Sequence, residues 1–315
     1  MTYSTGGLVQ ATDFNTFAGN INAVWNTKYG QTSVSTVSQG ATVSAANWAS
    51  LNSTIANAAA HQGTTITSRT SPTAGQTVAV LPNLSTDITS CTSNVYNAAS
   101  QGSQYTAWTG TASVTDITGT GSNPWTITFT DTVTFANATA ATSFFNSGAT
   151  VKIQFSKTST GHAGDAEWNS FIGTVCGTIY LSSTGTSKTI NGQTYTGTTK
   201  IGGTGTPSVL NTTIGFAQLN STPAVLYTQY DTGYSYSTNN LSISAAYNGS
   251  TTLTFVTTWH NSGPTAVISG GTATTGIVFG TAPTTVVTYY APETSHLTNT
   301  WGTPTVASSV SVTNS

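Results

Sequence analysis

Charge is nearly missing from this chain. Of its 315 residues, 6 are Lys or Arg and 8 are Asp or Glu, 4% in all, for a formal net charge of −2. An average soluble domain carries roughly 25% charged residues. Six cations cannot neutralise a run of phosphates, which excludes nucleic-acid binding through a basic surface. Long apolar runs are missing too: nothing approaches the ~18 consecutive apolar residues of a membrane span. Cysteine is scarce. Cys91 and Cys176 fit neither a metal-ligand spacing nor a disulfide framework, and read as free thiols buried as small hydrophobes. The opening residues, Met1 to Gly7, lack the basic and apolar regions of a secretory signal, so synthesis without a signal peptide is expected.

What is present is 70 threonines, 31 glycines, and 37% hydrophobic residues, with aromatics at 10% of the chain. That is enough apolar material for a core, so a disordered polar tract is excluded. The surface must then be hydroxyl and amide. Such a surface is cheap to desolvate and lacks the charge that keeps monomers apart. The composition predicts a subunit of an assembly, poorly soluble or oligomeric when isolated. An adhesive composition without an export address fits a virus particle released by lysis; export by a signal-less bacterial pathway is the competing explanation.

The first hundred residues carry helical periodicity. Phe14, Phe17, Ile21 and Val24 form one stripe, with Thr12 or Asp13 as the expected cap. The stripe recurs 34 positions later as Trp48, Leu51, Ile55 and Ala58 behind Ser44, which suggests a duplicated helical unit. A third stripe uses Leu84, Ile88, Cys91 and Val95. With so little charged surface these helices are expected to pack on other chains, making Phe14, Phe17, Ile21, Trp48, Leu51 and Ile55 candidate assembly residues. From about Thr106 the period becomes two. Trp125-Ile127-Phe129 and Val151-Ile153-Phe155 alternate with polar residues, and strands are expected near 177–181, 225–230, 286–290 and 306–312. Asn248-Gly249, between two alternating runs, predicts a type I′ hairpin, and Asn191-Gly192 a shorter one. One helix is expected around 136–146. The fold class is therefore α+β: a small helical N-terminal module over 1–105, followed by a mainly antiparallel β-sandwich region over 106–315. Too few Lys or Glu are available to protect exposed strand edges, which leaves loops, Pro or neighbouring subunits to cover them.

Few residues could carry chemistry. His162, Asp165 and Glu167 form the only ionisable cluster and could ligate a divalent cation or serve as an acid/base pair, but a helix cap by Asp165, with Glu167 in the first turn, accounts for them without any ligand. Asp116, Asp131, Asp231 and Glu293 have no evident pairing. Gly202-Gly203-Thr204-Gly205 lacks the Lys-Ser/Thr of a phosphate loop and reads as a turn. His61-Gln62-Gly63 reads as a helix end. Tyr227, Tyr230, Tyr234 and Tyr236 could present a glycan-stacking surface or simply line the core. No catalytic residue, cofactor or metal is expected.

Two stretches carry a resemblance. The first is Lys28-Tyr29-Gly30-Gln31, Ala45-Ala46-Asn47-Trp48 and Ala60-His61-Gln62-Gly63. The second is Phe144-Phe145-Asn146-Ser147-Gly148, Val151-Lys152-Ile153, Trp168 and Gly177-Thr178-Ile179. Together they resemble virion structural proteins of cyanophages and other tailed phages of aquatic bacteria, loosely described as tail, fibre or structural proteins. Where those proteins have a longer Gly-rich run before Tyr-Gly-Gln, this chain has Asn26-Thr27-Lys28. The resemblance implies a particle component with a helical N-terminal module and a β-rich remainder, and brings no catalytic residues; charge this scarce leaves few groups for acid/base chemistry, so a non-enzymatic role is expected. On that reading the chain is a tail or neck appendage, anchored by its helices. Its partners are sister copies, as a trimer, and other virion proteins. A capsid decoration protein is the alternative within the class. A host-glycan-binding adhesin is the alternative outside it, and a polysaccharide-degrading enzyme would need a carboxylate pair.

Overall fold

The computed structural model describes residues 9–76, 81–111, 125–158, 163–232, 238–261 and 283–314, without the side chains of 81, 82, 106–109, 111, 163–165 and 314. The fold is α+β. Three helices, α1 (Ala11–Trp25), α2 (Ala45–Gln62) and α3 (Leu81–Ser93), precede the antiparallel strands. α1 and α2 begin 34 positions apart, in step with their repeated stripes. Ser44 caps α2 as expected: its Oγ accepts from the Asn47 N–H at 3.2 Å, while Asn47 Oδ1 accepts from the Ser44 N–H at 2.9 Å. Gly63 ends the helix at φ 68°, a left-handed position that a Cβ disfavours. α1 departs from expectation. It starts at Ala11 behind Gln10, so neither Thr12 nor Asp13 caps it. Asp13 instead lies buried in the first turn, where the helix dipole favours a carboxylate.

Asn is a poor helix former, yet two Asn residues seven apart are structural necessities in α1. Asn15 and Asn22 each offer a complete amide to the returning chain. Asn22 Nδ2 donates to Val34 O at 2.9 Å and its Oδ1 accepts from Val34 N at 2.8 Å; Asn15 pairs the same way with Val37, at 2.8 Å in both directions. These side chains satisfy the backbone of a segment that forms no strand.

The helical stripes are used up within the chain, which corrects their assignment as assembly residues. Phe14, Phe17, Ile21, Leu51 and Ile55 are fully buried and Trp48 is 3% exposed. They belong to one continuous core with Ile88 and Cys91 of α3 and with Phe144 and Tyr289 of the β-rich part. The Phe14 ring meets Trp48 edge-on at 5.3 Å. Burying each such side chain contributes about 1.5–3 kcal/mol, so the stripes fold this chain rather than join it to another.

One sheet has the order β1 (Gln101–Thr111), β12 (Thr284–Pro292), β3 (Thr150–Ser156), β4 (Thr178–Leu181), β7 (Thr198–Ile201). The second runs β13 (Thr305–Asn314), β2 (Trp125–Thr134), β11 (Thr252–Asn261), β10 (Asn240–Tyr247), β9 (Ala224–Tyr230), β8 (Val209–Leu210). A small hairpin, β5 (Lys188–Ile190) and β6 (Gln193–Tyr195), stands apart. Because β1 opens at Gln101, the boundary expected at 105/106 falls inside a strand. α4 (Ala138–Asn146) follows β2, capped by Asn137, whose Oδ1 accepts from Ala140 N at 2.9 Å. α5 (Ala163–Ser170) runs into a π-helical stretch, Phe171–Cys176. Asp165 is thus the third residue of α5 and not its cap.

The two Asn-Gly turns differ. Asn191 and Gly192 have φ 50° and 78°, the positive pair of a type I′ turn. Asn248 does not adopt positive φ. Tyr247 faces Leu253 across a longer loop, because Asn248 Oδ1 accepts from the N–H groups of Ser250, Thr251 and Thr252 at 2.9, 2.9 and 3.0 Å. A side chain that satisfies three amides favours that loop over the tighter turn.

Candidate functional site

Several of the motif residues, Tyr29 to Gln31, His61 and Gln62, meet where the helices join the strand ends. Tyr29 Oη donates to Val95 O at 2.8 Å, and Gln62 Nε2 donates to Tyr29 Oη at 2.7 Å and to Cys91 O at 2.9 Å. Gln31 forms a reciprocal pair with the backbone of Thr298, 2.9 Å each way. Gly30 sits at φ 69°, and a Cβ there would meet Ser143 Oγ at 2.6 Å. Gly148, at φ 91°, is equally tight against Ala98. Beside them lies an ionisable hub: Glu293 Oε1 accepts from His61 Nδ1 at 2.9 Å and lies 3.3 Å from His296 Nδ1, while Oε2 accepts the N–H groups of Ser295 and His296. Burial alone would raise the Glu293 carboxyl; the hydrogen bonds from His61 and the two amides reverse this and hold it at about 2. His61 thus does more than end a helix. It ties α2 to the segment after β12, a joint 232 positions apart in sequence.

The other expected sites separate. Tyr227 is fully buried and its hydroxyl donates to Cys176 O at 2.9 Å, so it belongs to the core and not to a glycan surface. Tyr230 is 39% exposed, while Tyr234 and Tyr236 lie outside the described residues. His162 and the side chain of Asp165 also lie outside them. Glu167 is buried beside Asp231; burial and then the Asp231 charge push its carboxyl up to about 7. This carboxyl pair joins α5 to the end of β9. Above it, Trp168 packs on Trp125 at 5.1 Å and stacks on Trp259 at 5.9 Å. Among the described residues no group of three His, Cys, Asp or Glu side chains could hold a metal ion. Both cysteines are free and buried, and burial pushes their thiols up to about 11 for Cys91 and about 12 for Cys176, leaving neutral, unreactive sulfur.

The placement of the remaining charge is systematic. Six of the eight acidic residues, Asp13, Asp87, Asp131, Glu167, Asp231 and Glu293, are buried; Asp116 and the Asp165 side chain lie outside the described residues. Lys157 and Lys188 are buried too, and Lys28, Arg69, Lys152 and Lys200 are half-buried. The described surface therefore presents no exposed carboxylate and no fully exposed cation. Asp131 shows what this costs: on the inner face of β2, with Ser308 donating to it at 2.5 Å, its carboxyl is driven by burial up to about 6.

One aromatic groove does open outward. Its volume is about 160 Å³, and it lies between the start of β1, the end of β12 and residues 299–304. Tyr105, 44% exposed, stacks on Tyr289 at 5.2 Å, and Ser103, Thr294 and Asn299 add neutral hydrogen-bonding groups. Proximity to β1 and β12 was not legible in the sequence, because these strands are joined only through pairing between residues some 180 positions apart. No helix among the described residues is long and apolar enough to cross a membrane. Comparison with known proteins finds no matching family, no matching curated protein and no matching solved structure.

Proposed function

We propose that the chain is a structural subunit of a tailed-phage virion, an appendage of the tail or neck, without enzymatic activity. Sister copies and other virion proteins are its partners. The observation that carries this reading is a described surface with no exposed carboxylate and no fully exposed cation. The described carboxylates and two of the cations are buried, and what mostly faces outward is Thr, Ser, Asn and Gln, which neighbouring subunits can cover at low desolvation cost. The motif resemblance supplies the class of particle. Of those motifs, Tyr29, Gln31, His61 and Gln62 hold the joint between helices and strands.

The test is to band phage particles on a density gradient and quantify the chain against the major capsid protein by mass spectrometry. A constant, low copy number per particle is expected. A ratio near that of the capsid protein would assign it to capsid decoration, and absence from washed particles would overturn the virion reading. A glycan-binding adhesin is the second reading. The Tyr105–Tyr289 groove favours it, since an exposed ring beside neutral hydrogen-bonding groups suits a sugar ring. Binding on a glycan array that disappears with Tyr105→Ala would support it, and silence across the array would remove it.

A further inference from the structure

Four strands form the edges of the two large sheets: β1, β7, β8 and β13. Three are blunted. β8 has 2 residues and β7 has 4, while β1 breaks register twice against β12. β13 differs. Its 10 residues, Thr-Val-Ala-Ser-Ser-Val-Ser-Val-Thr-Asn, stay in unbroken register on β2, from Thr305 opposite Thr134 to Asn314 opposite Trp125. It contains no charge, no Pro, no Gly and no bulge, which are the devices that ordinarily keep an edge from pairing. No described strand hydrogen-bonds to its outer edge; β1 of the other sheet approaches β13, while Ser309 to Thr313 stay exposed. Val310 and Val312, on the face that continues the row of Ile127 and Phe129, are each 39% exposed.

We infer that β13 pairs antiparallel with β13 of a second copy, about a two-fold axis through Ser311, so that two six-stranded sheets become one. The occupant follows from the strand itself. Residues directly opposite in an antiparallel pair point to the same face, so the axis must pass through a residue and not between two. With the axis at Ser311, Val310 of each copy lies opposite Val312 of the other, and Ser309 lies opposite Thr313. Four valines then cover one another on the inner face. The hydroxyl row of Ser309, Ser311 and Thr313 extends the row of Thr126, Thr128 and Thr130 across the outer face. A neutral edge offers a charged partner nothing, whereas a second copy presents the same uncharged strand by symmetry. This contact is two-fold, unlike the threefold bundle expected from the sequence. It needs only the edge and does not depend on the virion reading: a chain that is monomeric at its β13 edge yet present in particles would sink the pairing alone.

Cross-linking of the full chain tests it. Residues facing across an antiparallel pair have Cα atoms about 4.5–5.5 Å apart, within disulfide reach, and Cys91 and Cys176 are buried and silent. Under mild oxidation Ser311→Cys should give a covalent dimer on a non-reducing gel, and Ser309→Cys should not. In light scattering, V310K/V312K faces like charges and should weaken the dimer about 100-fold. V310K/V312E faces Lys with Glu and should recover to within about tenfold of wild type. Circular dichroism matching wild type verifies that both variants fold. Efficient cross-linking by Ser309→Cys, no cross-link from either cysteine variant, or equal weakening by the two charge variants would overturn the inference.

Discussion

Replacing Glu293 by Gln isolates the charge at the joint between helices and strands. Gln keeps an oxygen for His61 Nδ1 but cannot ionise. The folded chain holds this carboxyl at about 2 against an ordinary 4.5, and that difference corresponds to about 3 kcal/mol of stability near pH 7. The sign is that of a depressed acid. The contribution is complete above 4.5 and fades as pH falls from 4.5 toward 2, where the unfolded and then the folded carboxyl take up protons. Urea unfolding followed by tryptophan fluorescence measures it, since Trp301 and Trp48 are both in the core. Near neutral pH the Gln variant should be less stable than wild type by about 3 kcal/mol, and near pH 2.5 by less than about 1 kcal/mol. An equal deficit at both pH values would mean that the loss is one of shape, and would refute the assignment of the joint to an ionised hub.

Asp131 carries the opposite sign. Its carboxyl is raised to about 6 from 3.8, so the folded state loses stability as pH rises through that interval, and Asp131→Asn should stabilise by about 1–3 kcal/mol near pH 7 and change little below pH 4; the same denaturation series checks it. Two glycines separate strain from space. Gly177→Ala, at φ 73° with its Cβ 2.4 Å from Gly202 O, should lower stability by more than about 2 kcal/mol. Gly19→Ala in α1, where nothing lies within 4 Å of the added Cβ, should raise it by about 0.5–1 kcal/mol. Thermal melts of the pair read both.

Local rules made much of this fold legible. Trp125, Ile127 and Phe129 alternate with Thr because β2 has one wet face, and Ser44 and Gly63 bracket α2 by the chemistry of helix ends. The same alternation turns Asp131 inward, since it has the parity of Phe129 and Val133. Tyr227 was hidden by a bulge, since Leu226 is the extra residue between Tyr227 opposite Ile243 and Val225 opposite Ser244. The stripes of α1 and α2 were read correctly as apolar faces but given the wrong neighbour, because periodicity reveals that a face is buried and not against what. The His61–Glu293 and Glu167–Asp231 contacts join distant segments through topology, which no local pattern encodes. The open edge of β13 was visible only once the strand order was known.

Sedimentation velocity of the full chain, over a wide concentration range at low and at high salt, bears most directly on whether an exterior this poor in charge means a surface made to be covered. Self-association that grows with concentration and barely responds to salt is predicted, because apolar and hydroxyl contacts leave few surface charges for salt to screen. A single monomeric species at every concentration and both ionic strengths would contradict the account.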